Sequence, residues 1–253
     1  MKIVALCKLF IAFLFITTLF ACHNNSGGIS IPVEHITPTK DQIDTREQSE
    51  AFCKLHNIPV YQNKNALYLD PEAKITIRTK DEIVDRLLAL CFTELKSEKV
   101  EKNLLDDFNV RYNVMGKLSP KEKHFILASS PTQQQLIDAN WRAEDMHVLL
   151  WALGYIDSLA YPDAVCNVAE DVKIINDKTE KQLTDDAHIR CKSEILRQAD
   201  LILRLDWACT EARIKKTTAP GNLDGEVVTE RHYVLNWLIQ YLNQAWDDVS
   251  TDT

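Results

Sequence analysis

Hydrophobic side chains recur every three to four residues through most of the chain beyond residue 79, the spacing that gives a helix one apolar stripe. After Thr79, the residues Val84, Leu87, Leu88, Cys91, Phe92 and Leu95 fall on such a stripe. The segment 132–156 begins amphipathic and becomes apolar all round at Val148-Leu149-Leu150-Trp151-Ala152-Leu153, which predicts a central, buried helix. The segment 187–215 follows the same course through Leu201-Ile202-Leu203 to Trp207-Ala208-Cys209. A last helix near 225–243 aligns Val227, Val234, Leu235, Leu238 and Leu242.

Three helix starts carry a capping box, in which a hydroxyl and a Glu or Gln three residues on satisfy each other's free N–H groups. They are Thr79…Glu82, Ser119…Glu122 with Pro120 at the first helical position, and Thr132…Gln135. Upstream, Ala66-Leu67-Tyr68-Leu69 and Lys74-Ile75-Thr76-Ile77-Arg78 read as short extended runs around Asp70-Pro71-Glu72-Ala73, the pattern of a small β-hairpin. The polar connections 157–186 and 216–224 read as the longest loops, and such loops often line sites. The expected fold class is mainly α: one helical domain over 45–253, of about six to eight helices, with that hairpin on its N-terminal side.

The beginning of the chain follows a different pattern. Lys2 and Lys8 precede the apolar run Leu9 to Phe20, which ends Leu19-Phe20-Ala21-Cys22 before the polar His23-Asn24-Asn25-Ser26-Gly27-Gly28. A basic start, an apolar middle and a small residue at the cut describe a secretory signal over 1–21. The cysteine behind that small residue resembles the lipobox of bacterial lipoproteins, a resemblance that implies a lipid on Cys22. An uncleaved anchor is the competing reading, but Lys8 would then sit at a cost inside the apolar stretch. Either way the body is tethered to a membrane, with 22–44 as a flexible spacer. His23 stands where an inner-membrane retention aspartate would be. The expectation is therefore a lipid-anchored protein of the bacterial envelope, on the outer membrane in preference to the inner.

Composition removes several function classes. The 253 residues carry 29 basic and 37 acidic side chains, a net charge of −8, which argues against a nucleic-acid partner. Six glycines are few for folds that cradle phosphate on glycine-rich turns. No GxSxG, HExxH or GxxxxGK[ST] motif occurs, so the common hydrolase, metalloprotease and nucleotide signatures are missing. Beyond Cys22 the exported body would hold Cys53, Cys91, Cys166, Cys191 and Cys209. Cys166 and Cys191 bracket a long connection and are the best placed to form a disulfide. No spacing suits zinc, and Glu144-x-x-His147 occurs once, where a di-iron bundle needs the motif twice. No metal and no cofactor are expected.

Four blocks carry a resemblance. They are Ile77-Arg78-Thr79-x-x-Glu82-Ile83-x-x-Arg86; Trp141-Arg142-x-Glu144 with Leu150-Trp151-Ala152-Leu153-Gly154; Glu194-Ile195-Leu196…Asp200-Leu201…Arg204-Leu205-x-Trp207-Ala208; and Glu230-Arg231-His232-x-x-Leu235-Asn236-Trp237-Leu238 with Trp246-Asp247-Asp248-Val249…Asp252-Thr253. Together, from about residue 50 to the C-terminus, they are similar to the bacterial family named domain of unknown function 4272. The resemblance implies a helical domain and no particular reaction, substrate or cofactor.

Helical geometry places charges among apolar residues in these blocks. Glu144 shares a stripe with Trp141, Val148 and Trp151; Asp206 shares one with Ile195, Ala199, Ile202 and Cys209. Arg204 follows Asp200 by one turn, Glu230 lines up with Tyr233, Trp237 and Tyr241, and Arg231 with Val227, Val234 and Leu238. One reading is a polar pocket of Glu144, Arg204, Asp206, Glu230 and Arg231 rimmed by Trp207 and Trp246, fit for a small ligand or for acid–base work. The other is a self-neutralising ion network inside the core. His147 and His232 are ligands or bases in the first reading and satisfied core residues in the second. The functional expectation is a tethered, non-enzymatic binding domain with an envelope protein partner, engaged through 157–186, 216–224 or a groove near Trp207 and Trp246. An enzyme using the charge cluster is the alternative.

Overall fold

A computed structural model of the protein describes residues 37–63 and 68–253. The signal segment, Cys22 and most of the expected spacer lie outside the described residues. Nine α-helices occur among them: α1 (Lys40–Leu55), α2 (Lys80–Ser97), α3 (Lys102–Tyr112), α4 (Pro120–Leu127), α5 (Gln133–Ala152), α6 (Val168–Asn176), α7 (Glu180–Asp185), α8 (Lys192–Lys215) and α9 (Gly225–Leu238). The closest packing runs in series, α2 on α5, α5 on α9, α9 on α8 and α8 on α1. The central helix α5 thus has a neighbour on each side. This is why its last turns, Val148 to Leu153, are fully or almost fully buried.

The three expected capping boxes are all present, at Thr79, Ser119 and Thr132, and two more start α1 at Thr39 and α7 at Thr179. The Thr39 box starts the helical body at Lys40, inside the segment expected to be spacer. Asp224 caps α9 by accepting from the backbone N–H of Glu226 at 3.0 Å and of Val227 at 3.3 Å. The C-terminal carbonyls of α5 are satisfied by a passing strap: His188 N–H donates to Leu153 O at 2.8 Å and Arg190 N–H to Ala152 O at 3.0 Å. Gly154 lets the strap come this close. It has φ +82°, and a Cβ there would lie 2.7 Å from the His188 carbonyl oxygen.

Four expectations are corrected. No strand occurs among the described residues, so the hairpin does not form; Ala66 and Leu67 of its first arm lie outside them. The extended run Lys74–Arg78 spends its backbone groups elsewhere. Arg78 N–H donates to Leu238 O at 3.1 Å, and Lys192 Nζ donates to the carbonyls of Glu72 and Ile75 at 3.1 and 2.7 Å. The connection 157–186 holds the two short helices α6 and α7 in place of a loop. The last helix stops at Leu238 because Gln240 turns the chain at φ +57°, which leaves Leu242 65% exposed and off the core stripe. Cys166 and Cys191 are both free thiols. Cys166 Sγ lies against the Ala143 carbonyl at 3.5 Å, whereas Cys191 sits exposed at the N-cap of α8.

Candidate functional site

The five candidate charges fall into separate pairs. Arg231 of α9 donates from Nε to Glu144 of α5 at 3.2 Å and from Nη1 to the Ala160 carbonyl at 2.6 Å. The other Glu144 oxygen accepts from the backbone N–H of Cys166. Arg204 pairs with Asp200 one turn earlier on α8, at 2.6 Å. Arg204 Nε and Asp200 Oδ2 have no hydrogen-bond partner among the described residues. Asp206 lies 2.8 Å from His232 Nδ1 and accepts from the Thr229 hydroxyl at 3.4 Å. Trp207, expected beside Trp246, packs its ring on Tyr61 at 5.4 Å, away from it.

Glu230 meets a residue outside the expected cluster. Arg142 of α5 donates from Nη1 both to Glu230 Oε2 and to Asp145 Oδ2, each at 2.9 Å. Asp145 is completely buried, and its Oδ1 has no hydrogen-bond partner among the described residues. Burial, then the charge of Glu230, pushes the Asp145 carboxyl well above the usual range against the pull of Arg142. Burial raises Glu230 as well, with Arg142 opposing. Burial works against the charge of Arg142, but Asp145 and Glu230 outweigh it and hold the guanidinium protonated. Two acids thus share one cation, and burial disfavours the charged form of both.

Aromatic rings hold Arg142 at the wall of a cleft. The Arg142 guanidinium lies 4.5 Å from the centre of Tyr233 and 5.9 Å from Trp246. Arg86 of α2 covers the Trp246 ring at 4.8 Å while its Nη1 donates to Glu122 of α4 at 2.6 Å. Tyr233 and Trp237 meet Trp246 edge-on at 5.0 and 5.4 Å, a favoured arrangement of ring quadrupoles. Lys121 locks the C-terminal segment to α4 through Asp247, N–H to Oδ2 at 2.9 Å and Nζ to the carbonyl at 2.7 Å. The cleft measures about 600 Å³ and is lined by Phe125, His124, Asp138, Arg142, Tyr233 and Trp246 among others.

A second cleft, of about 800 Å³, opens on the other side of α5 around Trp141, Glu94, Val165, Glu144 and Cys166. Burial, then the neighbouring Glu98, pushes Glu94 up to about 7, opposed by the Ser97 hydroxyl. Burial and then the nearby Glu144 and Asp171 push the Cys166 thiol up. Behind it, His147 Nδ1 lies 2.9 Å from Asp171 Oδ2.

Of the sequence candidates, only Glu230 and Trp246 reach the first cleft's chemistry. Arg142, Asp145 and Arg86 were missed as site residues. Arg142 and Asp145 stand three apart in a stretch heading into the core, and such an i,i+3 opposite-charge pair was the signal available.

The family model for Domain of unknown function (DUF4272) matches residues 45–249, and the chain belongs to that family. No curated protein and no solved structure matches the chain.

Proposed function

We propose that this member of the DUF4272 family is a lipid-anchored envelope protein whose helical domain is a non-enzymatic binding module. Its occupant is a carboxylate, at a chain end or on a side chain of an envelope partner, received in the cleft around Arg142. The observation that carries this reading is the unused part of one guanidinium. Arg142 Nη1 is engaged by the two acids, while Nε and Nη2 have no hydrogen-bond partner among the described residues and the side chain lines the cleft. A planar fork with free N–H groups suits a carboxylate. Burial, which disfavours the charged forms of Asp145 and Glu230, weakens the negative field behind the cation. Phe125, Tyr233 and Trp246 offer apolar contact to whatever carries the carboxylate. The enzymatic alternative loses support, because Glu144, Arg204, Asp206 and Glu230 each answer to a different partner.

The anchoring half rests on the Leu19-Phe20-Ala21-Cys22 pattern. Among the described residues no helix is long and apolar enough to cross a membrane. Cys22→Ala should move the protein from the membrane to the soluble fraction, and an unchanged distribution defeats the lipid anchor. For the cleft, the test is titration of the full-length chain with short peptides ending in a free-carboxylate Phe and with their amides. The free acids should bind about ten- to a hundredfold more tightly, the worth of a hydrogen bond to a charged group. Arg142→Gln should remove that preference. Equal affinity for acid and amide would refute the carboxylate reading.

A further inference from the structure

We propose that His147, Cys166 and Asp171 form a binding site for a divalent cation of the zinc class, on the side of α5 away from the Arg142 cleft. One ring nitrogen of His147, the Cys166 sulfur and one Asp171 oxygen all lie within 4.8 Å of one another. Ligand atoms around a tetrahedral zinc ion stand about 3.5 Å apart, given bond lengths of about 2.0–2.3 Å. Closing the triangle therefore asks for a shift of about 1 Å, within reach of small side-chain rotations.

The donors sit on firm supports. His147 projects from the buried part of α5, Asp171 from the first turn of α6, and Cys166 immediately precedes the N-cap residue Asn167. The Cys166 backbone is pinned by its N–H bond to Glu144, whose other oxygen is held by Arg231. That chain of contacts would orient a first ligand from behind, as outer hydrogen bonds do at metal sites. His147 and Asp171 are only 14% and 2% exposed at their side chains.

Nitrogen, sulfur and oxygen in one donor set suit a borderline-soft ion such as zinc, and not the hard cations that prefer oxygen alone. A thiolate and a carboxylate would neutralise a divalent charge, so the ion would enter this half-buried place at little electrostatic cost. Three protein ligands leave a fourth position, and the 800 Å³ cleft that Cys166 and Glu144 line gives it room for water or an exchangeable ligand. The sequence did not announce this site, because its three residues have no metal-binding spacing along the chain.

The test is maleimide labelling of the reduced, full-length chain in detergent, with and without added zinc, read residue by residue by mass spectrometry. Exposed Cys191 serves as the internal reference. Zinc at about ten times its Kd should slow labelling of Cys166 about tenfold and leave Cys191 unchanged. Cobalt should give a thiolate-to-metal charge-transfer band that disappears in Cys166→Ser and weakens in Asp171→Asn. Labelling of Cys166 that zinc does not slow overturns the site whether or not the variants fold. Protection that survives intact in His147→Gln overturns the assignment of the ligands.

Discussion

Glu144 and Asp145 are adjacent and both almost completely buried, yet they do opposite things with their charge. Glu144 has its own cation, Arg231, and a backbone N–H on its second oxygen. Asp145 shares Arg142 with Glu230, leaves one oxygen without a hydrogen bond and is pushed toward its neutral form by burial. Arg231 and Glu230, which shares Arg142 with Asp145, are also adjacent, so one helix–helix contact carries a completed pair beside an incomplete one. A buried charge with a full set of partners fixes how helices register; one that must share is held against its own preference, and such groups gather at sites. Successive residues of a helix point about 100° apart, so Glu144 reaches Arg231 and Cys166 while Asp145 turns to Arg142.

The largest effect should come from breaking the completed pair. Arg231→Met leaves Glu144 buried without its cation, which should cost about 3–5 kcal/mol and lower the melting midpoint by about 6–20 °C for a domain of this size. Calorimetry of the full-length variant checks this. An unchanged midpoint would put Glu144 in the same class as Asp145 and erase the contrast.

Glu94 extends the comparison to a buried acid with no paired arginine. Its carboxyl rises from 4.5 to about 7 on folding, so the folded state holds the proton more tightly than the unfolded one. The associated stability is fully present below about pH 4.5 and is lost as pH rises to about 7, by up to roughly 3 kcal/mol. Urea unfolding midpoints measured across that window should fall as pH rises, and Glu94→Gln should flatten the part due to this residue. Midpoints whose slope Glu94→Gln leaves untouched would assign the dependence elsewhere.

Asp145→Asn should matter much less than Arg231→Met, a change of under about 1 kcal/mol and possible in either direction. It removes an acid whose charged form burial already disfavours, while retaining the shape. Because the folded-state values of Asp145 and Glu230 are both raised, the wild-type pair contributes most at low pH and loses that contribution as pH climbs above the unfolded range. Thermal melts of Asp145→Asn at two pH values read both effects, and a loss as large as that of Arg231→Met would make the trio scaffold. The smallest effect on binding is expected of Trp207→Ala. Its ring packs on Tyr61 away from the Arg142 cleft, so affinity for the carboxylate peptides should stay unchanged.

Much of the fold was legible because it is written in local terms. The boxes at Thr79, Ser119 and Thr132 and the apolar run of Val148 to Leu153 depend on residues three or four apart, and each appears where it was expected. The extended run at Lys74–Arg78 was misread because alternation reports an extended backbone and not its partner; Leu238 and Lys192, far along the chain, took the bonds a hairpin would have used. Glu144, Arg204, Asp206 and Arg231, set among apolar residues in the sequence, are buried, whereas Glu230 is only half-buried. Their grouping was not legible: the stripe of Glu144 cannot tell Arg231 from Arg204, and Trp207 and Trp246 look alike until helices are stacked.

By itself, then, the sequence determined the family, the helical class and the helix starts at Thr79, Ser119 and Thr132, because propensity, capping and periodicity act within a turn or two of chain. Only the tertiary structure decided who pairs with whom. It set Arg142 between Asp145 and Glu230, Glu144 against Arg231 and Cys166, and His147 beside Asp171. Those contacts span tens of residues and depend on the angle and register at which α5 meets α9 and α6, which no local pattern encodes.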